Sequence, residues 1–136
     1  VLVGSSTYGK GSVQQIFELP NAGEVKVTWA RYYAPSGYSL TKYGVYPSLC
    51  TATGESDAET ILANVIGRGA EAARNLRLLR DIDRLSPAER KRLSEACSWK
   101  KTENGSLDLD VARGLFERPG LFDMTQAATR SGTPAS

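Results

Sequence analysis

A lysine between two glycines, Gly9-Lys10-Gly11, is the first feature of the sequence that suggests chemistry. A lysine side chain in water has a pKa of about 10.4 and is protonated at neutral pH. To accept a proton from a hydroxyl group, the amine must be moved away from water so that its pKa falls to about 7–8. Glycines on both sides let the backbone approach closely and leave room around the amine. Lys10 is therefore a candidate general base.

Gln14 lies four residues after Lys10, so on an extended chain the two side chains share a face. A neutral amide can orient a neutral amine, whereas a carboxylate at this position would favour the ammonium form. The sequence contains no histidine, so these residues cannot complete a Ser-His-Asp triad or a Cys-His dyad. A lysine base is the remaining way to activate a hydroxyl group. A solvated loop lysine and an ordinary strand glutamine would produce the same pattern.

A phosphate-binding P-loop is a second interpretation of this segment, because Gly4 and Gly9-Lys10 match the GxxxxGK part of that motif. The motif requires Ser or Thr after the lysine to bind Mg²⁺, and this chain has Gly11 there. A P-loop also opens a helix, whereas residues 12–19 alternate like a strand. Both features argue against a nucleotide site.

The composition excludes several classes of protein. The 136 residues include 17 Lys and Arg against 15 Asp and Glu, a net charge of +2, which gives no electrostatic reason to expect nucleic acid as a partner. No apolar run approaches the length of about 20 residues that a membrane-spanning helix needs. Cys50 and Cys97, without histidine, do not suggest a zinc site, so we expect no metal and no cofactor. The two thiols are either free or joined in a disulfide.

The segment that must position Lys10 is predicted to be a β-hairpin. Residues 12–19 and 24–33 read as strands around a short Pro-Asn-Ala-Gly turn. Val25, Val27 and Trp29 alternate with other residues, which predicts that one face of the second strand is buried and that Trp29 belongs to the core.

The pattern becomes helical after about residue 55. Ser56 and Glu59 have capping-box spacing before an apolar stripe, which predicts a helix to about residue 79. Ser86, followed by a proline and a glutamate, caps a second predicted helix. A third lies between Ser106 and Pro119. Residues 125–136 are small and polar and are predicted to be a disordered tail.

The segment from Ser6 to Gln14, STYGKGSVQ, resembles the catalytic-lysine segment of the carboxyl-terminal processing (tail-specific) serine peptidases. The resemblance continues in register to about residue 48 through VKVT, ARYY, PSG and GVYP. It implies that Lys10 is the general base of a Ser-Lys dyad and that Gln14 positions it. The family's nucleophilic serine, oxyanion-hole donors and PDZ domain precede this segment, so we expect them outside this chain. Ser48 departs from the family, which usually has an acidic residue there.

The expected fold class is α+β. Residues 1–50 are expected to form a β-hairpin-containing, C-terminal part of an α/β protease catalytic core. Residues 56–124 are expected to form a helical C-terminal extension that precedes the tail at 125–136.

The resemblance implies a serine endopeptidase that cleaves proteins near their C-termini, in an extracytoplasmic compartment, periplasmic or membrane-associated through a missing N-terminal part. The implied partners are protein or peptide substrates with exposed C-termini and the N-terminal portion of the same protein. We expect residues 1–136 alone to be inactive. The alternative is a non-catalytic scaffold or binding fragment of the same family.

Overall fold

The computed structural model describes residues 1–55, 57–99 and 105–130. Four strands precede the helices, and they are β1 (Val3–Gly4), β2 (Ser12–Glu18), β3 (Glu24–Arg31) and β4 (Leu49–Cys50). The helices are α1 (Ala58–Ala63), α2 (Val65–Arg80), a 3-10 turn (Ile82–Arg84), α3 (Pro87–Ala96), α4 (Gly105–Glu117) and α5 (Pro119–Arg130). The α+β class expected from the sequence is confirmed.

Strands β2 and β3 form the predicted antiparallel hairpin, with Gln14 opposite Thr28 and Phe17 opposite Val25. The register shifts at a bulge between Val13 and Gln14. The prediction of a buried face is wrong in this structure, because every β3 residue except Ala30 is exposed. Trp29, predicted as core, is 68% exposed. The apolar alternation is present, but neither face of β3 is covered in the described structure.

Strands β1 and β4 form a short parallel pair, with Val3 opposite Leu49. Ser48, the residue that departs from the family pattern, supports this pair. Its hydroxyl accepts a hydrogen bond of 3.1 Å from the Leu2 N–H, and its own N–H donates to the Leu2 carbonyl over 2.9 Å. A serine therefore makes a specific local contact at this position.

Helix starts follow the sequence signals in part. The predicted cap Ser86 is confirmed, with a full capping box to Glu89. The first helix is instead capped by Asp57, whose carboxylate accepts from the Thr60 N–H over 2.9 Å; Ser56 lies outside the described residues. The single helix predicted to residue 79 is interrupted at Asn64, which has non-helical dihedral angles. Asparagine competes locally for backbone hydrogen bonds and so favours helix ends.

Two hydrophobic clusters join the front of the chain to its helices. The first combines side chains of the 38–52 segment, α2 and α3, and its buried members are Tyr38, Tyr46, Ala52, Ala72, Leu79, Leu93 and Cys97. The second combines β4, α1, α2 and α4, and its buried members are Leu49, Ile61, Leu62, Val65, Leu107, Val111 and Leu115. The helices thus supply most of the buried side chains that pack against residues 38–52.

Helix α5 corrects the predicted tail. Residues 125–130 continue this helix, and the Thr125 hydroxyl donates to the Leu121 carbonyl over 2.7 Å. Thr125 is fully buried, so tertiary packing stabilises a helical end whose small polar residues suggested disorder. Residues 131–136 of the predicted tail lie outside the described residues. In the part of the chain that the structure describes, no helix has the length and apolar character needed to cross a membrane.

Candidate functional site

Lys10 lies in the segment 5–11 between β1 and β2, which we call the lysine loop. The glycines beside it are required by close backbone packing. A Cβ atom at Gly9 would lie 2.8 Å from the carbonyl carbon of Lys42, and one at Gly11 would lie 2.5 Å from the Thr41 nitrogen. Gly9 also has a positive φ of 83°, a conformation that side chains disfavour. The reason inferred from the sequence, close approach of the backbone, therefore applies at both glycines.

The segment 40–45 holds the lysine loop at Thr7 and at Gly9. The Lys42 N–H donates to the Gly9 carbonyl over 2.9 Å. Thr7 makes two bonds with Val45: its N–H donates to the Val45 carbonyl over 3.2 Å, and its hydroxyl accepts from the Val45 N–H over 2.9 Å. Gly44 approaches Thr7 so closely, at a φ of 65°, that a Cβ atom would overlap the Thr7 carbonyl. The loop conformation therefore depends on residues more than thirty positions away.

The upstream half of the loop is held by the end of α3. Cys50 and Cys97 form a disulfide, so the alternative of two free thiols is wrong. The Ser6 N–H donates to the Cys97 carbonyl over 3.2 Å. The Tyr8 ring meets the Trp99 ring edge to face, with centroids 5.0 Å apart. The sequence left the disulfide open as an alternative, and it did not indicate the contacts of Ser6 and Tyr8 with the end of α3.

The structure places Lys10 near the end of the lysine loop and Gln14 in β2. Both residues are exposed, and the Gln14 amide donates to the Thr28 hydroxyl over 3.2 Å. Among residues 1–55, 57–99 and 105–130, no hydrogen bond joins the two side chains.

Two backbone features interrupt the extended chain on which the same-face prediction for Lys10 and Gln14 depends. The Gly11 N–H donates to the Gly9 carbonyl over 2.9 Å, a turn that bends the loop at Lys10. A bulge between Val13 and Gln14 then interrupts the alternation of side chains. The pairing of Lys10 with Gln14 stays a prediction.

The P-loop alternative is contradicted by the fold. The lysine loop leads into strand β2, which begins at Ser12, whereas a phosphate-binding loop must open a helix. In the described residues, no group of three or more His, Cys, Asp or Glu side chains is placed to hold a metal ion.

A polar cleft beside the segment 40–45 was not predicted from the sequence. It has a volume of about 290 Å³ and is lined by residues that include Arg31, Tyr33, Lys42, Arg80 and Arg90. Arg31 and Tyr33 lie in and just after β3, so the hairpin contributes one wall of this cleft. The basic residues of α2 and α3 come from distant parts of the chain, so no local pattern could have associated them with the lysine segment.

Residues 1–50 match the family model of peptidase family S41. A carboxyl-terminal-processing protease of Picosynechococcus sp. is 43% identical over 47 residues, which are 35% of this chain and 11% of that protein. The chloroplastic carboxyl-terminal-processing peptidase 3 of Arabidopsis thaliana is 38% identical over 60 residues, 44% of this chain and 12% of that protein. A carboxy-terminal-processing protease of Bartonella bacilliformis is 42% identical over 48 residues, 35% and 11% of the two chains.

These matches confirm the resemblance to carboxyl-terminal processing peptidases over the first part of the chain. The family model ends at Cys50, before the helices begin. The aligned segment spans about a ninth of the length of these relatives, 11–12%. No solved structure matches the chain.

Proposed function

We propose that residues 1–50 are the lysine-bearing part of a serine endopeptidase that cleaves proteins near their C-termini. In this proposal Lys10 is the general base of a Ser-Lys dyad and Gln14 is its positioning residue. The observation that carries the proposal is the match of residues 1–50 to peptidase family S41, with Lys10 inside it. The tight packing around Gly9 and Gly11 gives the lysine a defined backbone position, as a catalytic group requires.

The proposed reaction is acyl transfer to a serine followed by hydrolysis. The neutral amine of Lys10 accepts the proton of the serine hydroxyl as that oxygen attacks the scissile carbonyl. The resulting ammonium then gives the proton to the leaving amine, and water releases the acyl group in a second step. The serine is expected on a segment outside residues 1–136, which is why we expect this chain alone to be inactive.

Two exposed features support the proposal that an N-terminal portion of the same protein completes the site. Lys10 is exposed here, although a lysine base needs surroundings from which water is excluded. The β-hairpin also leaves large apolar side chains uncovered, and these include Phe17, Val25, Val27 and Trp29. Apolar side chains placed close together on an exposed surface are typical of an interaction site. A catalytic domain that packed on the hairpin would bury both features together.

An extracytoplasmic or organellar location is part of this proposal. Several of the matched relatives have names that describe chloroplastic peptidases. The Cys50–Cys97 disulfide of this chain adds independent support, because disulfides persist mainly in oxidising compartments.

The experiment that tests the proposal compares Lys10→Ala with Lys91→Ala in the complete peptidase. Both lysines are exposed in this structure, and Lys91 lies on α3, away from the hairpin that the N-terminal portion is proposed to cover. Loss of the general base should lower kcat/KM on an unstructured C-terminal peptide by about 10³-fold or more, whereas Lys91→Ala should stay within about twofold of the parent.

Retention of normal turnover by a folded Lys10→Ala protein, checked by circular dichroism, would rule out the catalytic role. If the complete protein binds the peptide but shows no turnover that depends on Lys10, that result would favour the alternative of a non-catalytic scaffold.

A further inference from the structure

The disulfide joins the family-matched part of the chain to the helical part. Cys50 is the last residue of β4 and of the segment that matches the peptidase family. Cys97 is the C-cap of α3, 47 positions later. Cys97 is 1% exposed and belongs to the hydrophobic cluster that also contains Leu93. The bond therefore attaches the end of α3 to the peptidase-like segment.

The same disulfide lies against the start of the lysine loop. Cys50 pairs with Gly4 across the β1–β4 ladder, and the Cys97 sulfur lies 3.6 Å from the Gly4 carbonyl oxygen. The next contact along the loop is the hydrogen bond from the Ser6 N–H to the Cys97 carbonyl. Residues 4–6 are thus enclosed between the two halves of the disulfide.

The two halves of the lysine loop have different supports. In the upstream half, residues 5–8, Ser6 and Tyr8 contact Cys97 and Trp99, and Thr7 between them bonds to Val45. The downstream half is bonded elsewhere, since the Gly9 carbonyl accepts from Lys42 and the Gly11 carbonyl accepts from Tyr32 over 2.7 Å. Within α3 itself Leu93 is the buried residue, and together with Cys97 it attaches the end of the helix to the first hydrophobic cluster.

We propose that the Cys50–Cys97 disulfide is a redox-operated clamp on the upstream half of the lysine loop. Oxidation closes the clamp by fixing the α3 end against Gly4 and Ser6. Reduction by a dithiol of the thioredoxin class, or by dithiothreitol, opens it. With the clamp open, the contacts of Ser6 with Cys97 and of Tyr8 with Trp99 loosen. Thr7 keeps its bonds to Val45, and residues 9–11 keep their bonds to Lys42 and Tyr32.

The structure indicates which sulfur a reductant would attack. Cys50 is partly exposed and lines a small surface cavity of about 40 Å³, whereas Cys97 is buried. A thiolate of the dithiol attacks the Cys50 sulfur, forms a mixed disulfide and releases the Cys97 thiolate, which takes a proton from solvent. The second thiol of the reductant then breaks the mixed disulfide. The protein gains two electrons and two protons, and the reductant leaves as its own disulfide.

The consequence for catalysis rests on the proposed function of Lys10. Cys97 contacts the loop at Ser6, four residues before Lys10. Reduction of the disulfide should therefore loosen the part of the loop that positions the base. In an oxidising compartment the intact disulfide would keep Lys10 in its catalytic position. In a reducing compartment the lysine loop would be more mobile and the peptidase less active.

Amide exchange of the 136-residue chain tests the clamp without requiring activity. Exchange is measured by NMR before and after dithiothreitol, with alkylation and mass spectrometry to verify that two thiols have formed. The Ser6 amide should exchange about tenfold faster or more after reduction. The Lys42 and Tyr32 amides, which bond to the downstream half of the loop, should change by less than about twofold.

A double variant, Cys50→Ser with Cys97→Ser, supplies the matched control. It should show fast Ser6 exchange at all times and no response to reductant, because these are the only cysteines in the sequence. Unchanged Ser6 exchange in fully reduced protein would overturn the proposal. So would loss of the helical circular dichroism signal on reduction, since the disulfide would then stabilise the whole fold and not one loop.

Activity of the complete peptidase supplies a separate readout. Reduction should lower kcat/KM by about tenfold, reversibly on reoxidation, and the double variant should not respond to reductant. An enzyme with no Lys10-dependent turnover would refute the proposed function, yet the Ser6 exchange would still decide whether the clamp exists.

Discussion

The side-chain amide of Asn75 donates a hydrogen bond of 2.8 Å to the hydroxyl of Tyr46, and both residues are buried. Asn75 belongs to α2, and Tyr46 lies in the segment that matches the peptidase family. Burial raises the pKa of the Tyr46 hydroxyl, the Asn75 bond acts in the opposite direction, and the nearby charge of Glu71 raises it further. Helix α2 thus supplies a hydrogen-bond donor to the buried Tyr46 hydroxyl of residues 1–50.

Asn75→Ala is expected to lower the free energy of unfolding by about 1–3 kcal/mol, because the Tyr46 hydroxyl would lose this donor inside the core. Urea denaturation followed by circular dichroism measures the change. Gln15→Ala, on the exposed hairpin, should stay within about 0.5 kcal/mol of the parent. Equal stability of the Asn75 variant and the parent would show that the bond contributes nothing.

Gly44 and Gly37 form a matched pair for testing how tightly the lysine loop is packed. Both have positive φ, 65° and 92°, so an alanine at either position should cost about 1–3 kcal/mol from backbone strain. At Gly44 a Cβ atom would also overlap the Thr7 carbonyl, whereas at Gly37 nothing lies within 4 Å. Gly44→Ala should therefore destabilise the protein clearly more than Gly37→Ala in thermal denaturation. Similar losses would mean that the segment 40–45 moves away from Thr7 without cost.

Stability should fall in acid partly through Glu55. Hydrogen bonds from Thr53 and Arg68, and the charge of Arg68, lower the pKa of this carboxyl below its ordinary value of 4.5, and burial opposes them. Because the folded-state pKa is the lower one, the stabilisation is complete above about pH 4.5 and is lost as the pH falls through the folded-state value. Glu55→Gln should therefore reduce Tm at pH 7 and flatten its decline between pH 5 and pH 3.

The control for Glu55 is Glu24→Gln on the exposed hairpin, which should leave the pH dependence of Tm almost unchanged. Asp57 and Glu89 should add to the acid sensitivity in the same direction, since hydrogen bonds from Thr60 and Ser86 lower the pKa of each carboxyl. A Glu55→Gln protein whose Tm declines in acid as steeply as the parent would contradict the assignment.

Gln14→Glu tests the proposed positioning role in the complete peptidase. If Gln14 contacts Lys10 there, a carboxylate would favour the ammonium form, so activity should fall by about tenfold or more at neutral pH and recover towards alkaline pH. Gln14→Ala should lose activity without moving the pH profile. Gln15→Ala, on the other side of the strand, is the control. A Gln14→Glu enzyme with parental activity and pH profile would remove Gln14 from the site.

Local signals in the sequence predicted the elements that depend on near neighbours. The hairpin follows from alternation around a turn, and β2 and β3 pair as two antiparallel strands as predicted. The Ser86 cap needs only Glu89 three residues away. The segment around Lys10 was sufficient to identify the resemblance to carboxyl-terminal processing peptidases, which the match over residues 1–50 confirms.

Other properties were decided by residues far apart in the chain. Pairing of Cys50 with Cys97 requires α3 to end beside β4, and the support of Ser6 by Cys97 depends on the same packing. The turn at Lys10 and the bulge before Gln14 interrupt an alternation that the sequence pattern treats as regular. Spacing along a chain determines which faces can meet, but burial and long-range contacts depend on what packs against those faces. The sequence therefore determined which family the lysine segment resembles. The tertiary structure decided which residues support the lysine loop and that the Lys10 side chain is exposed.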